Sequence, residues 1–225
     1  MNKEKRGILY GLVLGDGNLH LAKNNFNTQY CKLTIGHSPK QQEYLNHKID
    51  LLHSVLGGKR PKLYEYKSFN KQSQKEYTNI QTTKTNKYFK QMHRVLYPFG
   101  EKVFTKQCLD YLTDQGLALW FMDDGSGTIC RNKQNKICGC MIRIATYCSL
   151  DEINIIRDWF KEKYDIDIKF DCDKRSNRFS VRLNTKDSHK FISIVKPYIH
   201  KSMEYKINIT QECLAPLEIK DEDIV

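Results

Sequence analysis

Two aspartates stand at the ends of two similar apolar stretches, 108 residues apart in the chain. Residues 9–17 read LYGLVLGDG and contain Asp16, and residues 117–125 read LALWFMDDG and contain Asp124. Apolar residues at nearly every position predict helices that are buried on all sides, and the final glycine is typical of a helix end. A carboxylate there faces the negative end of the helix dipole, which disfavours it. Two aspartates at matching positions therefore indicate a role that requires negative charge.

The repetition is what separates this pattern from an ordinary one. Either stretch alone is equally compatible with a core helix that ends in an Asp-Gly turn, because short motifs also match by chance. Repetition within one chain favours a duplicated architecture. Gly7, Gly11 and Gly15 share one face of the first helix, where each interior glycine costs about 1 kcal/mol relative to alanine. This stripe predicts close backbone approach to another element. The natural partner is the second helix, which would bring Asp16 and Asp124 side by side.

The two stretches resemble the paired signature motifs of LAGLIDADG homing endonucleases, of the single-chain, two-repeat type. Asp16 and Asp124 match the motif's catalytic acid, whereas Gly15 in the first copy and Asp123 in the second depart from the motif at the preceding position. The resemblance covers nearly the whole chain. It implies a metal-dependent enzyme that cuts both strands of a long DNA target across the minor groove, leaves short 3' overhangs and promotes intron homing.

Alternating and helical patterns predict the order αββαββα in each half of the chain. We therefore expect an α+β fold of two pseudo-symmetric repeats, with packed motif helices at the centre and antiparallel, saddle-shaped sheets that bind DNA. The predicted boundaries are a first repeat at 1–98, a linker at 99–113, a second repeat at 114–211 and an acidic tail at 212–225. The predicted helices are 4–16, 39–56, 85–96, 114–124, 150–163 and 186–196, and the predicted strands are 18–22, 30–36, 62–67, 75–83, 126–131, 138–147, 167–172 and 177–184.

Hydrolysis of a phosphodiester requires an activated water and stabilisation of charge on the phosphate and on the leaving oxygen, which divalent metals supply. Mg²⁺ binds one or two carboxylates together with substrate phosphates, so Asp16 and Asp124 are suitable ligands, and each could serve one strand. Ca²⁺ or Mn²⁺ can substitute in such a site. The resemblance implies that the backbone carbonyls of Gly15 and Asp123 add oxygen ligands. The Asp123 side chain is compatible with a metal ligand, with an N-cap and with a solvent-facing acid.

The family also carries one basic residue near the metals in each half. The resemblance points to Lys102, which follows Tyr97-Pro98, and to Lys206, which follows Tyr205. Counted from Pro197, however, Lys201 matches the spacing of Lys102 from Pro98 better than Lys206 does, so both lysines remain open. A solvated lysine is the ordinary alternative at each position.

The outward faces of the predicted strands are rich in Arg, Lys, Asn, Gln, Thr and Tyr, which suits a sheet that lies in the major groove of DNA. A solvated face is the ordinary alternative for any single strand. The candidate DNA-binding residues are Asn18, His20, Tyr30, Lys32, Thr34, Lys75, Tyr77, Asn79, Gln81, Ser126, Thr128, Arg143, Tyr147, Arg178, Ser180 and Arg182.

The charge distribution supports a polyanionic partner. The net charge is +11, and residues 1–100 carry all of it, whereas residues 101–225 are neutral, or +4 for residues 101–211 without the acidic tail. The chain has no run of 18 apolar residues and no signal-like start, so we expect a protein without a membrane span that stays with the DNA of its host genome, in a bacterial or phage cytoplasm or an organelle matrix.

Eight cysteines are scattered without a CxxC pair, which favours reduced thiols over disulfides or zinc. Cys130, Cys138, Cys140 and Cys148 form the one set with a tempting spacing for zinc. The alternation of the strand points Cys138, Cys140, Ile142 and Ile144 towards the core, which argues against Cys138 and Cys140 as zinc ligands.

Two alternative functions remain. A group I intron RNA maturase uses the same fold to bind its host intron RNA and assist splicing, and bifunctional members are expected. A DNA-binding regulator with an inactive site is the third reading, although it would more naturally have lost an acid. An intein is not expected, since the chain begins at Met1 and has no splicing domain around the repeats. We expect a monomer, because one chain supplies both repeats.

The uneven charge leads to a prediction about the salt dependence of DNA binding. Each phosphate contact contributes about −0.9 to the log–log salt slope. Removing charge at Lys32 and Lys75 should flatten this slope more than equivalent changes at Arg143 and Arg182, because the first half holds the excess of positive charge. The measurement is titration of the cognate duplex across a salt series in Ca²⁺, which permits binding without cutting in similar enzymes. Equal slopes for the two pairs would contradict the prediction.

Overall fold

The elements follow the predicted order in both halves of the chain. The computed structural model describes residues 1–70 and 74–209. The first half contains helices α1 (Lys3–Leu14), α2 (Gln42–Leu56) and α3 (Tyr88–Leu96) and strands β1 (Gly17–Lys23), β2 (Gln29–His37), β3 (Leu63–Asn70) and β4 (Lys75–Thr85). The second half contains helices α5 (Asp114–Asp124), α6 (Leu150–Tyr164) and α7 (Thr185–Val195) and strands β5 (Gly125–Arg131), β6 (Ile137–Cys148), β7 (Lys169–Asp173) and β8 (Arg178–Leu183). The α+β prediction with two αββαββα repeats is confirmed.

The stretch that separates the repeats is not devoid of structure, since a short helix α4 (Lys106–Asp110) lies within the predicted linker. The chain forms two compact units, one of Met1–Val103 with Tyr111–Trp120, the other of Phe104–Asp110 with Phe121–Val225. The division falls inside α5, so that helix begins in unit 1 and ends in unit 2. The repeat boundaries stay a prediction, and the acidic tail at 212–225 lies outside the described residues.

Unit 1 contains a four-stranded antiparallel sheet in the order β1-β2-β4-β3. Its core side chains alternate along the strands, as Cys31, Leu33 and Ile35 of β2 are each at most 1% exposed. Helices α2 and α3 add apolar residues such as Leu52 and Phe89, which are fully buried. A 3-10 turn at Pro39–Gln41 precedes α2, so Ser38 starts that turn and makes no side-chain cap.

The glycine stripe of α1 explains how this helix packs within unit 1. A Cβ atom added at Gly11 would lie 2.2 Å from the carbonyl oxygen of Gly116 on α5, and one added at Gly7 would lie 2.5 Å from Oγ1 of Thr113. The expected close backbone approach between the two apolar helices is therefore present at Gly7 and Gly11. Gly15 has a different role, because it is the C-cap that ends α1 and leaves Asp16 beyond the helix, which is shorter than the predicted 4–16.

Unit 2 has a second antiparallel sheet in the order β5-β6-β8-β7. A capping box begins α6, because the Ser149 side chain accepts from the Glu152 N–H and the Glu152 side chain accepts from the Ser149 N–H. A second carboxylate oxygen of Glu152 accepts from the Phe104 N–H, which fastens the segment before α4 to α6. Ile142, Val181 and Leu183 are fully buried beneath the helices.

The predicted inward orientation of Cys138 is wrong, because Cys138 is exposed whereas Cys140 is buried. Gly139 pairs with Cys130, but Ile137, not Cys138, pairs with Arg131. The extra residue makes a β-bulge, which shifts the alternation of the strand by one position before Gly139. The argument against zinc that relied on a shared face for Cys138 and Cys140 therefore fails. The seven cysteines in the described part of the chain are all free thiols.

Gly11 provides a stability test of the helix packing. Gly11→Ala should lower the free energy of unfolding by about 3 kcal/mol, the upper end of the usual overpacking cost, because the added methyl meets backbone atoms of Gly116 that cannot move aside. The control is Gly36→Ala on β2, where the nearest atom to the added Cβ is 3.6 Å away. Urea unfolding of both variants measures the difference. Equal losses would show that the close approach does not limit the packing of α1.

Candidate active site

The carboxylate of Asp16 lies directly after α1 and is held by unit 1. The backbone N–H of Gly15 donates to Gly11 O and closes the last turn of the helix. The Asp16 side chain is 38% exposed, so it is open to solvent on one side. On the other side, its Oδ2 lies 3.5 Å from Nδ1 of His37 and 4.0 Å from Nζ of Lys48. Asp16 is thus an accessible acid with positive or donor groups behind it.

Lys48 is a fully buried lysine, which is rare unless its ammonium has partners. Its Nζ lies 2.9 Å from Nε2 of His37 and 4.5 Å from the centre of the Tyr44 ring. An ammonium can only donate, so Nε2 of a neutral His37 must be the acceptor. The proton of His37 is then on Nδ1, which faces Asp16 and also Oε1 of Gln41 at 3.3 Å. Lys48 therefore fixes which ring nitrogen of His37 donates towards Asp16.

His37 and Lys48 were missed at the level of sequence, although a signal for both exists. His37 continues the inward series Cys31, Leu33 and Ile35 on β2, and Lys48 lies on the buried face of α2 between Leu45 and Leu52. A polar residue at a position that the periodicity assigns to the core must find a partner there. A histidine and a lysine at core positions of otherwise apolar faces are therefore the sequence signal that could have identified both residues as part of the site.

Lys102 binds the C-terminal end of the first motif helix. Its Nζ donates to the carbonyl oxygens of Val13 at 2.7 Å, Gly15 at 2.9 Å and Gly17 at 3.1 Å. The last carbonyls of a helix have no partner within the helix and carry its negative partial charge. One ammonium therefore satisfies three acceptors beside Asp16 and offsets the dipole that disfavours a carboxylate at this place.

Lys206 makes the corresponding contacts in unit 2. Its Nζ donates to the carbonyl oxygens of Met122 at 2.6 Å and Asp123 at 3.1 Å, near the end of α5. Lys201 is exposed and begins a 3-10 segment, Lys201–Lys206. Of the two lysines that the sequence left open, Lys206 is the one whose contacts match those of Lys102. A catalytic role for either lysine stays a prediction.

Asp123 and Asp124 are the last residues of α5, and both are half-buried. The surroundings of the second motif differ in residue type from those of the first. Cys148 occupies the end of β6, as His37 does at the end of β2, and Trp159 follows Cys148 by 11 residues, as Lys48 follows His37. Burial raises the pKa of the Cys148 thiol, which keeps it neutral. The two repeats therefore do not surround their aspartates with the same chemistry.

Asn18, the first candidate DNA-binding residue, is oriented by Tyr97. The Tyr97 hydroxyl donates to Asn18 Oδ1 at 3.2 Å and accepts from the Leu19 N–H at 3.4 Å. Burial raises the pKa of the Tyr97 phenol, although the Leu19 hydrogen bond opposes the shift, so the hydroxyl keeps its proton. This contact fixes the amide of Asn18 near Asp16.

The strand register gathers the candidates of the first half on one face of the unit 1 sheet, which we call the outer face. Residues directly opposite in antiparallel strands share a face, as Asn18 does with Thr34 and His20 with Lys32. The same register adds residues that the sequence reasoning missed, notably Tyr64 opposite Gln81 and Tyr66 opposite Asn79, which are 50% and 41% exposed. The predicted residues on this face are Asn18, His20, Tyr30, Lys32, Thr34, Lys75, Tyr77, Asn79 and Gln81.

The sheet of unit 2 has an equivalent outer face. Arg143 lies opposite both Ser126 on β5 and Arg182 on β8, and Met141 lies opposite Thr128. The β7 residues opposite Arg182, Ser180 and Arg178 are Lys169, Asp171 and Asp173. Tyr147 is 64% exposed but lies in a bulge with a φ of +44°, so the register does not assign it to this face.

The oxygen atoms at the motif ends suit a hard divalent cation such as Mg²⁺, Ca²⁺ or Mn²⁺. Asp16 offers a partly exposed carboxylate, and the Gly15 carbonyl retains a second lone pair after it accepts from Lys102. Asp124 and the Asp123 carbonyl provide the same donor types in unit 2. The ammonium groups compete for the two carbonyls, so the aspartates are the stronger candidates for metal ligands.

Comparison with known proteins identifies related sequences. The family model described as "LAGLIDADG DNA endonuclease family" matches residues 6–191. Protein RecA of Mycolicibacterium flavescens is 26% identical over 89% of this chain and 45% of its own length. The intron-encoded endonuclease ai4 of Dictyostelium discoideum is 30% identical over 56% of this chain and 75% of its own length. The cytochrome b mRNA maturase bI2 of Saccharomyces cerevisiae is 27% identical over 92% of this chain and 48% of its own length. The chain thus spans about half the length of two of these three relatives, the RecA protein and the maturase.

Solved structures share the fold. The homing endonuclease I-WcaI, bound to its DNA recognition sequence, matches with a TM-score of 0.72 and 22% identity over 92% of this chain and 86% of its own. A variant of I-DmoI in complex with its target DNA in the presence of Mg matches with a TM-score of 0.55 and 16% identity over 86% of this chain and 96% of its own. Within residues 1–70 and 74–209, no helix combines the length and apolar character needed to cross a membrane.

The contacts of the two lysines lead to a stability prediction. Lys102→Met and Lys206→Met should each lower the free energy of unfolding by about 2–3 kcal/mol, because helix-terminal carbonyls lose a charged donor. Lys201→Met, at an exposed position, should change it by less than about 0.5 kcal/mol. Urea unfolding measures all three. A larger loss for Lys201→Met than for Lys206→Met would show that Lys201, and not Lys206, stabilises the end of α5.

Proposed function

Because the chain belongs to the LAGLIDADG DNA endonuclease family, we propose that it is a site-specific homing endonuclease that cuts both strands of a long, asymmetric DNA target. The observation that carries this proposal is the matched arrangement at the two motif ends. Each buried motif helix is followed by, or ends in, an aspartate, Asp16 or Asp124, and has its terminal carbonyls bound by a lysine, Lys102 or Lys206. Cutting proceeds across the minor groove and leaves short 3' overhangs, which promote homing of an intron.

The proposed cofactor is Mg²⁺, with Ca²⁺ or Mn²⁺ able to occupy the same oxygen donors. Asp16 with the Gly15 carbonyl in unit 1, and Asp124 with the Asp123 carbonyl in unit 2, would each offer oxygen ligands to a cation, which would supply an activated water and stabilise charge on the phosphate and leaving oxygen. Around it, His37 directs an N–H towards Asp16 and so orients that carboxylate. Lys102 and Lys206 place positive charge beside the aspartates, where charge develops on the phosphate.

The outer faces of the two sheets are the proposed DNA-binding surface. An antiparallel sheet fits the major groove, and the Arg, Lys, Asn, Gln and Tyr side chains on these faces are types that contact base edges and phosphates. Two repeats of unequal sequence within one chain need no palindromic target and no second copy of the protein. Each repeat should cover about 10 bp, so that a monomer recognises a site of roughly 20 bp.

A group I intron RNA maturase is the second candidate, favoured by the similarity to the maturase bI2 over 92% of this chain. The same basic faces would then bind the phosphates of folded intron RNA. The two activities differ in what they require, because splicing assistance depends on the binding surface and not on hydrolysis by the aspartates.

Asp16→Asn and Asp124→Asn test the proposed activity. Each variant should lose cutting of duplex DNA by more than the roughly 100-fold that loss of an outer-sphere metal partner costs, because asparagine removes the charged ligand. Binding should remain largely intact. The substrate is a duplex selected by the protein in Ca²⁺ from a randomised pool of roughly 20 bp, and cutting is then started with Mg²⁺ and followed on gels.

The matched control is Asp50→Asn, an exposed acid on α2 that pairs with Arg60. It removes the same charge from unit 1 and should leave cutting unchanged. A selected duplex that the wild-type protein binds but does not cut in Mg²⁺ or Mn²⁺ would overturn the endonuclease proposal. Rescue of intron splicing by the Asp16→Asn protein would then assign the maturase function.

A further inference from the structure

Two arginines on the outer face of unit 2 occupy positions that should repel each other. Arg143 on β6 and Arg182 on β8 are directly opposite across the strand pair. Like charges at such positions destabilise a sheet, because their Cβ atoms are only about 5 Å apart. Both side chains are partly exposed, at 50% and 40%. Contact with solvent does not select one conformation of these side chains, so a protein group is needed to fix them.

Asp171 on β7 joins the two arginines. Its Oδ2 lies 3.0 Å from Nε of Arg143, and its Oδ1 lies 2.9 Å from Nε of Arg182. Each carboxylate oxygen therefore engages a different guanidinium. The Nε atom of Arg182 is buried and makes no aligned hydrogen bond within the described residues, so charge is what holds it against Asp171.

A carboxylate at this place is costly for a surface that binds DNA by charge alone. It repels phosphates, and it neutralises part of the positive charge of the two arginines it contacts. What it adds is geometry, because Nε is the atom of each guanidinium that is nearest to Asp171, and within the described residues the terminal N–H groups of the two arginines form no hydrogen bond. A guanidinium that is fixed in this way is suited to bidentate recognition of guanine O6 and N7, where direction matters more than charge.

We propose that Asp171 is a positioning residue: it orients the guanidinium groups of Arg143 and Arg182 towards base edges and prevents them from binding phosphates. The inference rests on the proposed function of the outer faces as a DNA-binding surface. It predicts that unit 2 contributes discrimination between sequences at a cost in non-specific affinity, which agrees with the near-neutral charge of the second half of the chain.

The test is Asp171→Asn in the full chain, which keeps the shape and removes the charge. Freed arginines should turn to phosphates, so binding to a scrambled duplex should tighten and its log–log salt slope should steepen by about 0.9–1.8, the contribution of one or two phosphate contacts. Selection from a randomised duplex pool in Ca²⁺ should at the same time lose at least about fivefold in discrimination at the positions read by unit 2, the lower end of the penalty for one mismatched pair.

Two controls separate positioning from a general loss of charge. Asp173→Asn removes an acid from the same strand and face, where the carboxylate accepts from Ser176 and Arg175 but forms no arginine ion pair within the described residues. Asp158→Asn removes an acid that pairs with Arg157 on α6, the helix over the opposite side of the sheet. Asp173→Asn measures what the loss of one negative charge on this face does by itself. Asp158→Asn, away from this face, should leave the selected sequence unchanged, and thermal unfolding of all three variants reports whether the fold is intact.

The outcomes divide cleanly. Asp171→Asn with a steeper slope and a relaxed selected sequence supports the proposal. A variant that matches Asp173→Asn in slope and in selected sequence, or one that simply unfolds at lower temperature with unchanged specificity, overturns it and leaves an ordinary surface ion pair. A wild-type protein that selects no sequence from the pool contradicts the proposed function itself, and the Asp171 inference falls with it.

Discussion

A carboxylate held beside the C-terminal end of a buried helix is the constraint on which the rest of this structure depends. The helix dipole, the unsatisfied carbonyls and the loss of solvent all oppose negative charge there. In each repeat a lysine from far along the chain donates to these carbonyls and offsets the unfavourable charge. Lys102 does so beside Asp16, and Lys206 does so at the end of α5. Each lysine follows the last helix of its repeat in the chain, so the motif end is neutralised only when that later segment is in place. Local stability of the aspartate and completion of the repeat are therefore coupled.

The two repeats meet this constraint with different surroundings. In unit 1 the fully buried Lys48 contacts His37, and His37 in turn contacts Asp16. The low dielectric constant of the interior strengthens these polar interactions. In unit 2 Cys148 and Trp159 stand at the corresponding sequence positions and offer no such charge. The same backbone order thus supports two polar environments, because the αββαββα frame is set by apolar periodicity and leaves individual core-facing positions free to change.

The outer faces show a similar division between charge and geometry. The face of unit 1 combines lysines with a row of tyrosines, including Tyr64 and Tyr66, on the half of the chain that carries the net positive charge. The face of unit 2 pairs two of its arginines with Asp171, on the half of the chain that is neutral overall. Long-range attraction to a polyanion depends on summed charge, whereas discrimination between bases depends on fixed donors. Because the two repeats differ in sequence, one surface of the chain can favour attraction to a polyanion while the other favours discrimination between bases.

The sequence by itself determined the order of the elements, the two motif aspartates, the glycine stripe of α1 and the inward residues of most strands, because helical and strand periodicities are local properties of the chain. Only the tertiary structure decided that Cys138 is exposed, since one extra residue in β6 shifts its alternation. The tertiary structure also decided that Lys206, and not Lys201, binds the end of α5. The His37–Lys48 contact and the Asp171 bridge were also beyond the sequence. Each joins side chains from different elements, and such partners are chosen by the register and packing of segments distant in the chain.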